Sequence, residues 1–250
     1  MNPYEKSSQF VTVHGNRFHY DLEGDAGLPV LALINMAGHN LTAWELVVGK
    51  LATRFRVLRF DIRGTGKSAW GADSDFTFSQ YADDLAGIMD ALEVSKAFVV
   101  GIAYGSRTAA RFALNHSDRL TGLGLFDVSL TPPVEQGGQR ELGQEAIALL
   151  QKAGEPIVAH KKYWRFYENR EAALKAHTAH EAEEDVTDLL ANVVAPTLIA
   201  CGEQDLNLAE SRRVARVIPN SRFELMPMTG HGSVLYRPEL FAQLLCDAFG

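Results

Sequence analysis

Apolar and polar residues change their spacing along this chain in a regular way. Phe10-Val11-Thr12-Val13 and Phe18-His19-Tyr20 flank His14-Gly15-Asn16, a turn signal, and predict an N-terminal antiparallel hairpin. Val30 to Ile34 is an unbroken apolar run, the pattern of a strand buried on both faces. Thr42 then serves as N-cap of a predicted helix with Trp44, Leu46, Val47 and Leu51 on one face. Phe55 to Phe60 reads as the next strand. Phe78 to Leu92 places Tyr81, Leu85, Ile88 and Leu92 on one helical stripe. Ala97 to Val100 is a strand, Ser106 to Asn115 a helix, and Leu120 to Phe126 a strand. Strands alternating with helices imply a mostly parallel sheet joined by right-handed crossovers.

From about Val128 to Val194 the alternation stops, and the stretch becomes helical in flavour and rich in charge and aromatics. It is predicted to be a cap (residues 128–194) inserted into a core formed by residues 1–127 and 195–250. Ala195 to Cys201, a helix around Ser211 to Val217, the strand Arg222 to Met226 and the helix Pro238 to Phe249 complete that core.

Composition narrows the picture. A chain of 250 residues fits one α/β domain with a small insertion. A net charge of −7 argues against nucleic acid or an anionic membrane as partner. Cys201 and Cys246 form no spaced framework and read as reduced thiols. The polar start (Asn2, Glu5, Lys6) has no apolar core of signal-peptide length, and no apolar run is long enough to span a bilayer. A cytoplasmic protein is expected.

The chemistry gathers at strand ends. Val99-Val100-Gly101-Ile102-Ala103-Tyr104-Gly105-Ser106 reads as strand, tight turn and helix, with glycines flanking a small apex residue. Such an apex needs small neighbours and a strained backbone. Asp205 follows a buried strand in Cys201-Gly202-Glu203-Gln204-Asp205, where capping the following helix is the simpler role. His231 lies in Thr229-Gly230-His231-Gly232, between the last strand and the last helix.

Taken in order, apex, acid and histidine resemble an α/β-hydrolase, over nearly the whole chain. That resemblance implies an α/β-hydrolase fold: a mostly parallel eight-stranded sheet flanked by helices, with a small helical cap. It makes Ala103 the nucleophile position of a G-x-S-x-G elbow, His231 the general base and Asp205 its orienting acid. Asp127, after the preceding core strand, is a rival acid, and Glu203 a weaker one. Asn35-Met36-Ala37-Gly38 matches the oxyanion loop, with the N–H groups of Ala37 and Tyr104 as donors. The run from Ile34 to Trp44 resembles the corresponding loop of 3-oxoadipate enol-lactonases. Asp61-Ile62-Arg63-Gly64-Thr65-Gly66-Lys67-Ser68 matches a D-x-R-G-x-G-x-S turn of this branch, read as a structural bend closed by the Asp and Arg.

Asn35, Met36 and His39 from the loop, and Trp164 and Tyr167 from the cap, are the candidate substrate contacts. His160 to Tyr167 alternates basic and aromatic residues; as a helix it would place Tyr163, Phe166 and Tyr167 on one face. A basic residue of that stretch is a candidate to receive a substrate carboxylate, and Arg107 is a further candidate to approach the site. Glu181 to Asp185 reads as a solvated helix face. The resemblance implies hydrolysis of an ester, a lactone or an activated C–C bond; no metal or organic cofactor is implied, and the partner is a small molecule, a lactone or a carboxylated ester.

Alanine has no attacking atom. Either Ala103 replaces a parental serine, or it is native. In the second case the pocket binds without turnover or uses only the His231–Asp205 dyad. Ser106 lies one helical turn on and is expected to cap rather than substitute.

Overall fold

The computed structural model describes residues 9–70, 76–131, 137–179 and 183–250. The polar start at Asn2, Glu5 and Lys6, and Glu181 and Ala182 of the acidic run, lie outside these. Among the described residues no helix is long and apolar enough to cross a membrane.

Eight strands form one sheet: β1 (Gln9–Val13), β2 (Asn16–Glu23), β3 (Val30–Ile34), β4 (Arg56–Phe60), β5 (Ala97–Ile102), β6 (Leu120–Phe126), β7 (Thr197–Gln204) and β8 (Ser221–Gly230). Their order is β1-β2-β4-β3-β5-β6-β7-β8. β1, β2 and β4 pair antiparallel, as the His14-Gly15 turn predicts, and the remaining neighbours are parallel. The order reverses between β3 and β5. That is a topological switch point, where loops leave adjacent carboxyl ends in opposite directions and open a crevice.

The central strands β3 to β7 are buried on both faces, so alternate residues serve different cores. Ala32, Ile34 and Val99 join one apolar cluster with Tyr81, Leu85 and Ile88 of α1 (Phe78–Ala91) and Phe112 of α2 (Tyr104–Asn115). Leu31, Leu33, Val100 and Ile102 join the other, with Trp44, Phe241 and Leu245. This two-residue alternation explains why β3 reads as continuously apolar.

The helix predicted after Thr42 is broken. Residues Leu41–Leu46 form a 3-10 helix, and a one-turn α-helix, Val48–Leu51, follows. Asn40, not Thr42, is the cap; its side-chain oxygen accepts the Thr42 N–H at 3.0 Å. The Asp61 bend is structural, but its two charged residues close different contacts. Asp61 accepts Leu41 N–H and Lys67 N–H, while Arg63 pairs with Asp84 of α1 at 2.7 Å.

Between β6 and β7 lie α3 (Gln139–Ala153), a 3-10 turn (Lys162–Arg165), α4 (Arg170–Ala176) and a second 3-10 helix (Thr187–Asn192). Ala176, Ala179, Val186 and Leu190 share the cluster of α1 and α2, so this segment has no separate core there. The aromatic stretch is not the helix that would align Tyr163, Phe166 and Tyr167. It ends at Arg165, and Phe166 is extended at φ −80°, ψ 139°. Glu183 is not solvated either; its buried carboxylate pairs with Arg111. Helices α5 (Leu208–Val217) and α6 (Pro238–Phe249) complete the fold.

Candidate active site

The turn from β5 into α2 is forced by main-chain crowding. A Cβ on Gly101 would lie 2.2 Å from the Gly105 carbonyl oxygen, and one on Gly105 would lie 2.4 Å from the Ile34 carbonyl oxygen. No side chain fits at either place. Between them Ala103 takes φ 52°, ψ −115°, a conformation that strains a non-glycine residue by about 1–3 kcal/mol. It is held by its N–H, which donates to the Phe126 carbonyl at 2.7 Å. The Ser106 hydroxyl lies behind the apex, 2.8 Å from the Gly101 carbonyl and 2.9 Å from that of Phe126. It braces the turn and does not face the cavity.

β7 and the loop after β8 bring Asp205 to His231. The imidazole Nδ1 lies 3.0 Å from one carboxylate oxygen and 3.2 Å from the other. Asp205 is buried, and it also accepts the Asn207 N–H at 2.9 Å, so it shapes the approach to α5 as well. With Nδ1 committed to the carboxylate, Nε2 is the nitrogen left for proton transfer. Burial alone would lower the His231 pKa. The hydrogen bond and charge of Asp205, with the nearby Asp127, outweigh this and raise it above the ordinary 6.5.

Asp127 takes a different position from Asp205. Fully buried, it accepts Gly202 N–H at 3.2 Å, Gly232 N–H at 3.1 Å and Ser233 N–H at 2.6 Å. It therefore fastens the backbone on either side of the histidine loop rather than the imidazole. Burial, then the neighbouring Asp205 charge, push its pKa up to about 6. Glu203 is exposed and holds neither residue. Asp127, Asp205 and Cys201 bring their polar atoms within 4.8 Å of one another, a spacing that could suit a metal ion. Their carboxylate oxygens are already occupied by N–H groups and the imidazole, and burial pushes the Cys201 thiol pKa far up. The cluster is thus a hydrogen-bonded brace for the loop.

Ala103 and His231 line one cavity of about 580 Å³, together with Met36, Ala37, His39 and Tyr104. Tyr104 opens α2, where the first N–H groups have no helical acceptor. His39 is buried, which brings its pKa down to about 4 against the opposing bond to Ala37. Its Nδ1 lies 3.0 Å from the Ala37 carbonyl, so that nitrogen carries the proton. Its Nε2 then accepts from His160, 3.4 Å away.

A match to the model of the Alpha/beta hydrolase family runs from residue 10 to residue 244. The chain belongs to that family. Within it, the chain is 30% identical over 230 residues to the "Putative carbamate hydrolase RutD" of Caulobacter sp. strain K31, covering 82% of this chain and 84% of that protein. The enol-lactonase of Burkholderia xenovorans LB400 shares the fold at 23% identity, with a TM-score of 0.79 over 96% of this chain and 98% of that one. A thermophilic esterase of Thermogutta terrifontis is 25% identical, with a TM-score of 0.76 over 96% and 97% of the two chains.

Three expected substrate contacts of this hydrolase-family chain fall outside the cavity lining. Asn35 is buried structure: its amide donates to the Phe60 carbonyl at 2.9 Å and its oxygen accepts from the Trp44 indole. Trp164 is fully buried, and its indole donates to Glu45 at 2.9 Å. Tyr167 donates to the Gly38 carbonyl at 2.8 Å, pinning the loop instead of facing the ligand. All three read as pocket residues because aromatic and amide groups suit both roles. His177 went unseen; it accepts the Gly38 N–H at 2.8 Å and lines the cavity. Arg165, one of the basic residues of the His160 to Tyr167 stretch, lines it too. A lone histidine in a charged segment carries no sequence signal.

Proposed function

We propose that this protein is built for acyl-bond hydrolysis of a small ester or lactone, with residue 103 at the position of the attacking group. The observation that carries the reading is the Asp205-held imidazole of His231 sharing one cavity with the apex of a glycine-forced elbow. Residues 128–194 act as the lid. With serine at the apex, His231 Nε2 takes the hydroxyl proton as oxygen attacks the carbonyl. The N–H groups of Ala37 and Tyr104 receive the oxyanion, Asp205 balances the imidazolium, and His231 returns the proton to the departing oxygen. Water then repeats the sequence on the acyl-enzyme.

With alanine, the attacking oxygen is missing while base, acid and donors persist. Ala103 then stands where a parental serine would act. The alanine itself supports a second reading, in which Ala103 is native. The pocket then either holds a ligand unchanged or lets His231 draw a proton from water or ligand without an acyl-enzyme.

The deciding test is Ala103→Ser, assayed beside the parent on p-nitrophenyl esters, lactones and a carbamate, with a fluorophosphonate label. Turnover and labelling at residue 103 in the variant alone support the first reading. Equal, His231-dependent turnover in both proteins supports the dyad. Ligand binding with no turnover in either supports the receptor.

A further inference from the structure

The cavity is cationic in an acidic protein. The chain carries a net charge of −7, yet no Asp or Glu is among the described residues lining this cavity. Two arginines, Arg107 and Arg165, are. Neither has a carboxylate within ion-pair distance among the described residues, whereas Arg59, Arg63, Arg111 and Arg213 all do.

Arg107 is the more telling. It is 5% exposed and stands on the first turns of α2, four residues beyond the apex. Its two terminal nitrogens donate to the carbonyls of Leu130 at 3.1 Å and Thr131 at 2.6 Å. Those bonds use two of the five guanidinium donors and supply no opposite charge. Burial lowers the Arg107 pKa, the described carboxylates of Glu183, Glu210 and Asp185 act on it only from beyond ion-pair distance, and the positive end of α2 adds to the cost of its charge. Packing alone would be better served there by an apolar side chain. Arg165, exposed and in the segment between β6 and β7, lines the same space.

We infer that the ligand carries a carboxylate in addition to its acyl bond, that Arg107 receives it inside the cavity, and that Arg165 draws it in at the mouth. The ligand then supplies a close counter-charge, which no described carboxylate provides, through bidentate bonds that a planar guanidinium favours. The inference deepens the hydrolase reading and rests on this cavity being the ligand site.

The test uses two esters of one shape and different charge, monomethyl glutarate and dimethyl glutarate. Binding to the protein as it stands is measured by calorimetry, so no turnover is needed. The monoanion is expected to bind about tenfold more tightly, the value of one charge-assisted hydrogen bond. Arg107→Met should erase that preference and Arg107→Lys should restore part of it. Arg165→Gln, an exposed site that leaves the core untouched, should weaken the monoanion alone. A purely structural Arg107 would lower stability in the Met variant without changing the ratio between the ligands. A monoanion that binds no better than the diester, including no binding of either, overturns the inference. So does a preference unchanged in both Arg107→Met and Arg165→Gln. The hydrolase reading fails separately: Ala103→Ser without turnover, beside an intact carboxylate preference, removes hydrolysis and keeps the ligand class. Equal turnover of both esters by Ala103→Ser does the reverse.

Discussion

At the floor of the pocket, position is set by main chain against main chain. Gly101 and Gly105 sit where no Cβ fits, and the Ala103 N–H is anchored to the Phe126 carbonyl. At the roof, position is set by side chains reaching across long sequence separations. His177 and Tyr167 hold Gly38, Asn40 holds the Tyr163 carbonyl at 2.7 Å, and Glu45 gathers Lys161, Tyr163 and Trp164. A floor made of steric exclusion tolerates almost no substitution next to the apex. A roof made of separate polar ties can lose one tie and keep the rest.

The largest effect expected is on chemistry at the floor. Ala103→Ser should raise esterase or lactonase rates by about 10³ to 10⁶, the scale lost when a hydrolase loses its serine. In that variant, His231→Ala should abolish the gain; a rate surviving it would place the chemistry elsewhere. Next comes Gly105→Ala, which drives a methyl into the Ile34 carbonyl. It should destabilise by about 3 kcal/mol or more, read as loss of soluble protein or of cooperative melting. A melt matching the parent would show that the floor can yield.

The roof should respond less. Glu45→Leu leaves the buried Trp164 indole N–H without an acceptor, at about 1–3 kcal/mol. In the Ala103→Ser background, KM should rise more than kcat falls. A kcat loss alone would mean that these ties reach the reacting atoms. The Glu45 tie also depends on pH. Burial would raise the Glu45 pKa, but bonds from Lys161, Tyr163 and Trp164 bring it below the usual 4.5. Its stabilisation is present above that value and fades as pH falls through the lowered one.

The smallest effect is a shift in a pH profile. His231 must be neutral to act as base, and its pKa lies above 6.5. The rate of Ala103→Ser should therefore rise with pH through a midpoint above 6.5. Asp205→Asn removes the charge that helps hold the proton, with only Asp127 left to oppose burial, so the midpoint should fall. The stability contribution runs the other way: it is full below 6.5 and is lost as pH climbs through the raised value. An unmoved midpoint in Asp205→Asn would separate Asp205 from the base.

Floor and roof also differed in how far the sequence foretold them. The elbow was legible because two glycines at fixed spacing report a local steric demand. The sheet was legible because alternation and apolar runs are periodic. Asp205 and His231 were placed by their order after strands; the choice against Asp127 needed the distances to Nδ1. The roof was misread because its contacts are not local. Glu45 resembles a solvated helix position, and its three partners lie 116 to 119 residues away. Trp164 has the same composition signature whether it packs in the interior or faces a ligand.

The elbow's shape is fixed by neighbours and by a main-chain bond, none of which uses the side chain at its apex. Every alanine codon is one nucleotide from a serine codon. On the proposed mechanism, a lineage carrying this scaffold is therefore a single base change from exchanging a receptor that only binds for a catalyst with the same selectivity.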